Sequence, residues 1–205
     1  MKLPSLLASL LLALPALAAD PAPTALFNGT DLTGWKGTGY VVENGAIYCT
    51  PAGRNLVTEK MYSNYVFEFE FQLTPGANNG LGIHYPGTGD SAYTGMEIQI
   101  LDDTAAKYKD LKDYQFHGSI YTLVPAKRGS LKPVGEWNTE RVTVNGPKVK
   151  VELNGNVITE ANLDELNVSH PKHEGAKRRE GHIGFLGHGD RVGFRNIRIT
   201  ELPKP

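Results

Sequence analysis

The sequence predicts an all-β protein, folded as a sandwich or jelly roll of two antiparallel sheets. Short segments alternate apolar and polar residues with the period of two that a half-buried strand requires. Turn signals rich in glycine and asparagine separate these segments, and Asn44-Gly45 and Asn154-Gly155 are typical of tight hairpins. No stretch sustains helical periodicity, and no internal repeat is present. Short strands at regular spacing favour a β-sandwich.

The strands can be assigned in order along the chain. The clearest spans residues 65–72, where four aromatic side chains face one way and the polar side chains face the other. The others are predicted at residues 40–48 (a hairpin), 56–58, 81–84, 96–101, 116–121, 141–146, 148–153 and 192–199. The apolar positions of the last strand change from even to odd numbers, so we expect a bulge near Arg195-Asn196. Residues 107–114 and 160–166 are candidates for short helical turns.

The first 19 residues have the pattern of a secretory signal peptide. A positive charge at Lys2 precedes an apolar run from Leu3 to Leu17, and Ala18 and Ala19 are small residues suited to cleavage. The run is too short to cross a bilayer core of about 30 Å, although an uncleaved anchor is the alternative. We therefore expect an exported protein, periplasmic or extracellular, with a single domain over residues 20–205.

Composition restricts the class of partner. The chain has 21 Lys and Arg against 22 Asp and Glu, a net charge of −1, which gives no electrostatic reason to bind nucleic acid or an anionic membrane. Cys49 is the single cysteine, so no intrachain disulfide can form. The sequence contains no Gly-rich phosphate loop, Cys-x-x-Cys pair or His-Glu-x-x-His motif. A small or neutral ligand is expected.

Residues 93–103 carry the strongest candidate for a functional site. In a strand here, Met96 and its apolar neighbours at alternate positions would face the core, while Glu97 and Gln99 would share the other face. Asp102 follows where the alternation ends, at the edge of the same sheet. Carboxylates and an amide at one sheet end suit sugar hydroxyls, a metal ion or proton transfer. A solvated outer face with no function is the alternative, because antiparallel sheets commonly have one wet face.

A second strand is expected to support this site. Gly80, Gly82 and His84 would share one face of the strand after the turn at residues 76–80. Glycines leave room for a ligand to approach the backbone, with His84 at the margin. A hydrogen-bonded structural histidine is the alternative reading of His84. A curved sheet could bring Glu97, Gln99 and His84 together on its concave face.

Several short segments occur in a distinctive order along the chain. They are Leu26-Phe27-Asn28-Gly29-Thr30-Asp31-Leu32-Thr33-Gly34-Trp35, Asn78-Asn79-Gly80, Glu97-Ile98-Gln99-Ile100-Leu101-Asp102, Lys132-Pro133-Val134-Gly135-Glu136-Trp137-Asn138, Leu153-Asn154-Gly155, and His188-Gly189-Asp190 with Phe194-Arg195-Asn196-Ile197. As an ordered set they resemble the 3-keto-disaccharide hydrolase domain family. The resemblance covers nearly the whole mature chain and implies a concanavalin-like jelly roll that acts on 3-keto-glycosides. Where many members carry a glutamine, this chain has Leu186.

The chemistry of such a substrate suggests roles for these residues. A ketone at C3 acidifies the C2 proton, so a base can remove it and the enolate can expel the C1 aglycone before water adds. Glu97 or His84 would be the base, or Glu97, Asp102 and His84 would hold a divalent cation as the one candidate cofactor. The remaining candidates would contact the substrate. Gln99 and Arg54 would bind its hydroxyl groups, and Trp137 would stack on the sugar ring. His117 and His188 are two further candidates for substrate binding.

Two alternatives stay open. Two carboxylates could hydrolyse the glycosidic bond directly, with their separation deciding retention or inversion. The same residues could also serve a lectin-like module that binds glycans without turnover.

Overall fold

The computed structural model describes residues 21–205, so the predicted signal peptide lies outside the described residues. Two antiparallel sheets pack face to face, which confirms the predicted all-β sandwich. In the described part of the chain, no helix is long and apolar enough to cross a membrane.

The larger sheet has eight strands. They are β1 (Thr24–Ala25), β3 (Tyr40–Glu43), β4 (Ala46–Cys49), β6 (Tyr65–Leu73), β9 (Trp137–Asn145), β10 (Lys148–Leu153), β11 (Asn156–Asn162) and β13 (Val192–Glu201). Their order is β11-β10-β9-β6-β13-β4-β3, and the short β1 pairs with β13 beside this path. The three longest strands are neighbours at the centre of the sheet: β13 has 10 residues, and β6 and β9 have 9 each.

The smaller sheet has five strands, in the order β2-β5-β12-β7-β8. They are β2 (Trp35–Gly37), β5 (Asn55–Thr58), β7 (Asn78–Tyr85), β8 (Met96–Leu101) and β12 (His182–Leu186). Short helices occupy the connections: α1 (Ser91–Thr94), α2 (Leu163–Ser169) and 3₁₀ turns at Ala106–Tyr108, Asp113–Gln115 and Glu174–Lys177. Two of these turns, Ala106–Tyr108 and Asp113–Gln115, overlap the ends of the segment 107–114, for which a short helical turn was predicted as a candidate. In the segment 160–166, β11 continues to Asn162 before α2 begins.

An aromatic cluster joins the two sheets. Phe67, Phe69 and Phe71 of β6 point inward, as the alternation predicts, and each is buried. Phe185 of β12 stacks on Phe194 of β13, with ring centroids 3.7 Å apart and ring planes inclined by 13°. Each fully buried ring of this size contributes roughly 1.5–3 kcal/mol to folding, so this cluster is a large part of what holds the sheets together.

The hairpin turns adopt the backbone that their sequences predict. Asn44 and Gly45 have φ of 50° and 75°, and Asn154 and Gly155 have φ of 50° and 84°. Two successive positive φ values define the turn that matches the twist of a two-residue hairpin, and asparagine and glycine tolerate them best.

The predicted bulge in β13 is also confirmed. The pairing of β13 with β6 shifts register between Arg195 and Arg198, and Asn196 has φ of 53°. The side chains of Arg195 and Asn196 both donate to Glu70, at 2.7 and 2.8 Å. The extra residue lets Phe194 and Ile197 both reach the core although their numbers differ in parity.

A second irregularity, in β7, displaces His84. The pairing of β12 with β7 shifts register between His182 and Gly184, and His84 itself has φ of 53°. The side chain is completely buried, and neither ring nitrogen has a hydrogen-bond partner among the described residues. Burial, together with the positive charge of Arg179, lowers the pKa of His84 to about 4.

Replacing His84 with asparagine is expected to make the protein less sensitive to acid. An unfolded histidine takes up a proton below about pH 6.5, whereas His84 in the folded chain does so only near pH 4. Folding free energy is therefore lost as the pH falls through this window, by up to ~3 kcal/mol. Asparagine tolerates the positive φ at this position.

Urea unfolding of both proteins at pH 7 and pH 4.5 measures this effect. His84→Asn should lose less free energy on acidification than the parent protein. An equal loss in the two proteins would show that His84 is not the group responsible.

Candidate functional site

A cleft of about 540 Å³ lies on the outer face of the five-stranded sheet. Strands β5, β7, β8 and β12 form its floor, and the loop carrying α1 forms one wall. The side chains that line the cleft include Asn55, Asn78, Asp90, Tyr93, Glu97, Gln99, Tyr121, Leu186 and His188. The cleft is lined mainly by polar groups, which suits a ligand rich in hydroxyls.

Strand β8 supplies the central carboxylate and amide. Met96, Ile98 and Ile100 are fully buried in the core, and Glu97 and Gln99 point into the cleft from the opposite face, so the predicted alternation is confirmed. Each of the two polar residues is only 5% exposed. Their floor position leaves one approach, from the open side of the cleft.

Gly80 makes the position of Glu97 possible. Gly80 of β7 pairs with Gln99 in the register of β7 and β8, and a Cβ atom at Gly80 would overlap the carboxylate of Glu97. The carboxylate therefore lies flat over the bare backbone of β7. A side chain at Gly80 would push it upward into the space that a ligand needs.

Two buried oxygens in the cleft have no partner. Oε1 of Glu97 and Oε1 of Gln99 are each buried without a hydrogen bond among the described residues, while Nε2 of Gln99 donates to the Gln115 carbonyl at 3.4 Å. Buried polar atoms are nearly always hydrogen-bonded, because an unpaired one costs about 1–3 kcal/mol. Two adjacent unpaired acceptors indicate a site where ligand donors complete the hydrogen bonding.

The segment 116–121, predicted as a strand, runs along the free edge of β8. Tyr121 donates its backbone N–H to the Glu97 carbonyl at 2.8 Å, and the Gln99 N–H donates to the Ser119 carbonyl at 3.0 Å. Only single bridges form, so the segment is not a regular strand. It fixes β8 from its outer side and brings the Tyr121 side chain to the cleft.

His188 faces Glu97 across the cleft. Nε2 of His188 lies 3.8 Å from Oε1 of Glu97, which is too long for a direct hydrogen bond but well within Coulombic reach. The Glu97 carboxylate raises the pKa of His188, against the opposing effect of partial burial. The cleft thus holds a carboxylate beside an imidazole that keeps its proton to higher pH than usual.

The wall of the cleft is anchored at two points. Asp90 caps α1 by accepting a hydrogen bond from the Ala92 N–H at 3.0 Å. Gly175, in the loop after α2, packs so closely on the Gly95 backbone that a Cβ atom there would overlap the Gly95 carbonyl. Residues far apart in sequence therefore hold this wall against the sheet.

Leu186 lies on the cleft floor. A Cβ atom at Gly82 would come within 3.0 Å of the Leu186 side chain, so Leu186 covers the bare backbone of β7 next to Glu97. Leu186 is 3% exposed and contributes an apolar patch, not an amide, to the site.

Asp102 does not join Glu97 in the cleft. By the alternation of β8 it points toward the opposite face, where it accepts hydrogen bonds from the backbone N–H of Gly76 (2.7 Å) and from Thr104. Burial acts to raise the pKa of Asp102, but these hydrogen bonds outweigh it and the net effect is a lowered pKa. The observed surroundings of Asp102 are those of a carboxylate that ties two loops together.

His117 also lies away from the cleft. Its ring stacks on Phe71 at 5.1 Å between centroids, and Nε2 lies 3.2 Å from Oε2 of Glu140, with both side chains buried. The angles at this contact fall outside those of a hydrogen bond. The pair bridges the two sheets inside the core.

Trp137 and Arg54 are likewise not brought to the cleft. Trp137 is on the outer face of the eight-stranded sheet, with the Arg195 guanidinium 4.0 Å from its ring centroid, so the whole core separates it from Glu97. Arg54 is exposed, and its side chain donates to the Gly53 carbonyl. Its neighbour Asn55 lines the cleft instead.

The proposed metal ligands are not assembled. Of Glu97, Asp102 and His84, only Glu97 lines the cleft. Within residues 21–205, no group of three or more histidine, cysteine, aspartate or glutamate side chains is arranged to hold a metal ion. This donor set therefore does not fit the predicted cation.

Sequence reasoning did not assign a role in the site to Asn55, Asn78, Asp90, Tyr93 or Tyr121. Asn55 and Asn78 begin β5 and β7, Asp90 caps α1 and Tyr93 lies on α1. The signal available for Asn78 was its place just before the glycine strip. Nothing in the pattern around Asn55 or Tyr93 distinguished them.

Replacing Glu97 with glutamine is expected to lower the pKa of His188, because it removes the negative charge that favours the imidazolium. NMR titration of the imidazole C–H resonances measures this value directly. Glu165→Gln, on the exposed side of α2, is the matched control and should leave His188 unchanged. An equal pKa in the parent protein and Glu97→Gln would contradict the assignment of the pair.

Comparison with known proteins identifies the family that the sequence matches. The domain family described as 3-keto-alpha-glucoside-1,2-lyase-like matches residues 22–200. A protein of Bacteroides thetaiotaomicron named 3-keto-disaccharide hydrolase is 26% identical to this chain. The alignment is 224 residues long, gaps included, and covers 86% of this chain and 77% of that protein.

Solved structures agree with this match. A crystal structure from Parabacteroides distasonis, named "putative glycosyl hydrolase", has 27% identity and a TM-score of 0.78, covering 88% of this chain and 94% of the other. A Bacillus subtilis protein with a galectin-like fold has 10% identity and a TM-score of 0.59, covering 92% and 98%, and supports the jelly-roll architecture alone. The chain belongs to the 3-keto-alpha-glucoside-1,2-lyase-like domain family.

Proposed function

We propose that this protein cleaves the glycosidic bond of 3-keto-glycosides in the cleft beside Glu97, after export to the periplasm or the cell exterior. The observation that carries the proposal is the buried, unpaired carboxylate of Glu97 facing His188, in a cleft lined with amides and hydroxyls. Family membership and the hydrolase names of two relatives support the choice of substrate.

The cleavage proceeds by elimination followed by hydration. A base removes the C2 proton, and the C–H electron pair becomes the enolate of the C3 ketone. The enolate re-forms the ketone and expels the glycosidic oxygen from C1. The sugar is left with a C1=C2 double bond, and the departing oxygen takes up a proton. Water then adds at C1 while a proton returns to C2, so the sum is hydrolysis. The route needs a base, an acid and a donor for the enolate oxygen.

Glu97 is the base in this scheme. Its carboxylate lies on the floor of the cleft with one oxygen free of protein donors, so it can accept a proton from a sugar carbon held above it.

His188 is the proton donor. Glu97 raises its pKa, so the imidazole carries a proton to give to the leaving oxygen or to the enolate. Its side chain is about half exposed, 48%, and can exchange protons with solvent between turnovers. Raising the pH through the pKa of His188 removes this proton, so the rate is expected to fall on the alkaline side.

The amides of the cleft bind hydroxyls. Gln99 presents a carbonyl oxygen with no protein partner, and Asn55 and Asn78 line the cleft from β5 and β7. Tyr121 adds a phenolic hydroxyl, which receives a hydrogen bond from Gln115 at 3.2 Å. Groups on three strands and a loop can thus fix the orientation of one sugar ring.

Direct hydrolysis by two carboxylates is the competing mechanism. Asp90 is the other carboxylate that lines the cleft, but it is engaged as the cap of α1. That engagement favours the elimination route. A glycan-binding module without turnover would use the same hydroxyl-binding groups but would not need the pairing of Glu97 with His188.

Replacing Glu97 with glutamine is expected to lower the rate of cleavage by about 10²–10⁴, the usual contribution of a general base. A 3-keto-glucoside with a chromogenic aglycone reports release directly, and Glu165→Gln is the control that should retain activity. If Glu97→Gln cleaves at the parent rate, Glu97 is not the base. If the parent protein binds the sugar without cleaving it, the binding-module alternative replaces the enzyme.

Cleavage in D₂O is expected to place deuterium at C2 of the released sugar, because hydration returns a solvent proton to that carbon. Mass spectrometry at early times measures the label, and free 3-keto-glucose incubated alone gives the background exchange. Retention of the original C2 hydrogen would instead identify direct hydrolysis, in which C2 takes no part.

A further inference from the structure

A second pocket, of about 420 Å³, adjoins the cleft at Tyr93. Tyr93 lines both cavities and is 47% exposed between them. Tyr121 lines the cleft, and the next residues along the chain, Thr122 and Leu123, line the pocket. The cleft and the pocket are therefore neighbours, and a ligand anchored in the cleft can extend over Tyr93 into the pocket.

The walls of the pocket differ in chemistry from those of the cleft. Leu123 and Pro171 are apolar, and the rings of Tyr93 and His173 lie 5.9 Å apart at an angle of 44°. Rings in this arrangement offer faces and edges on which another aromatic ring packs well. The exposed surface of this pocket is mainly apolar, whereas a second sugar would present hydroxyl groups on every side.

The polar groups of the pocket indicate what its ligand carries. His173 is only 8% exposed, and neither ring nitrogen has a hydrogen-bond partner among the described residues. Burial lowers the pKa of His173, so the ring is neutral and offers one N–H donor and one acceptor. Thr122 adds a hydroxyl group and Lys172 a positive charge, and among the described residues no carboxylate lines the pocket. An apolar ligand with a single hydroxyl group suits this lining.

We infer that this pocket is the leaving-group site, and that it accepts an aromatic aglycone bearing a hydroxyl group in preference to a second sugar. The inference rests on the proposed function, because the sugar must occupy the cleft for its aglycone to reach past Tyr93. The volume of the pocket lies within the range of small-molecule sites and accommodates one or two fused rings.

Binding of a free aglycone tests the pocket without any turnover. We would titrate 4-methylumbelliferone, a hydroxylated two-ring aromatic, into the mature protein by calorimetry. Leu123→Asp and Pro171→Asp each place a carboxylate in the apolar wall and should weaken binding at least tenfold. Pro171 is exposed, so its variant reports on the pocket even if Leu123→Asp disturbs the core. Val168→Asp, at an 81% exposed residue outside the pocket, should bind as the parent does.

Kinetics with two leaving groups tests the assignment to the substrate. For a 4-methylumbelliferyl 3-keto-glucoside, both pocket variants should lower kcat/KM at least tenfold. For a 3-keto-disaccharide the change should be less than twofold. Equal losses for the two substrates, or no binding of 4-methylumbelliferone by the parent protein, would overturn the inference and leave the proposed function standing.

A different outcome separates the two proposals. If the parent protein cleaves neither substrate but binds 4-methylumbelliferone in a manner that Pro171→Asp abolishes, the proposed function fails, and the assignment to a leaving group fails with it. Cleavage of both substrates with selective loss of the aromatic one supports both proposals.

Discussion

The two faces of β8 impose the constraint on which the rest of the molecule depends. One face buries Met96, Ile98 and Ile100, which together contribute roughly 5–9 kcal/mol at 1.5–3 kcal/mol each. The other face presents Glu97 and Gln99. A slip of one residue in the pairing with β7 would turn the apolar side chains to water and drive a carboxylate into the core. The hydrophobic effect therefore fixes the register of β8 against β7. The same register determines both the packing of the core and the position of the Glu97 carboxylate in the cleft.

The buried carboxylates of the protein differ in how well they are satisfied. Asp102 is buried and accepts hydrogen bonds from Gly76 and Thr104, which stabilise its charge and connect two loops. One oxygen of Glu97 has no such donor, and the His188 ring lies 3.8 Å away. Glu140 also lacks hydrogen-bond donors, but it is enclosed in the core beside His117. Its position in a cleft is therefore what distinguishes Glu97 from the other buried acids.

Much of the fold could be predicted from the sequence, because period-two alternation and Asn-Gly turns are local signals. The strand at residues 65–73, both hairpins and the bulge at Asn196 follow from such signals alone. The site was harder, since only the relation of Glu97 to Gln99 is local. The displacement of His84 comes from a register shift against β12, and the partner that holds His117 in the core, Glu140, is distant in sequence. Trp137 was misplaced because alternation assigns a residue to a face but not to a sheet.

The close packing of Gly175 on Gly95 joins the loop after α2 to the start of β8. The two regions that meet there, the sheet and the loops, are constrained to different degrees. The sugar cleft is built on paired strands, where each side chain is held by its neighbours across the sheet. The apolar pocket is lined by residues outside the paired strands, namely Tyr93 of α1, Thr122 and Leu123, and residues 170–173. Changes in loop length or composition around residues 170–173 can reshape the pocket while Glu97 and Gln99 stay in place. Substrate range in such a scaffold can diversify through its loops at little cost to the reaction itself.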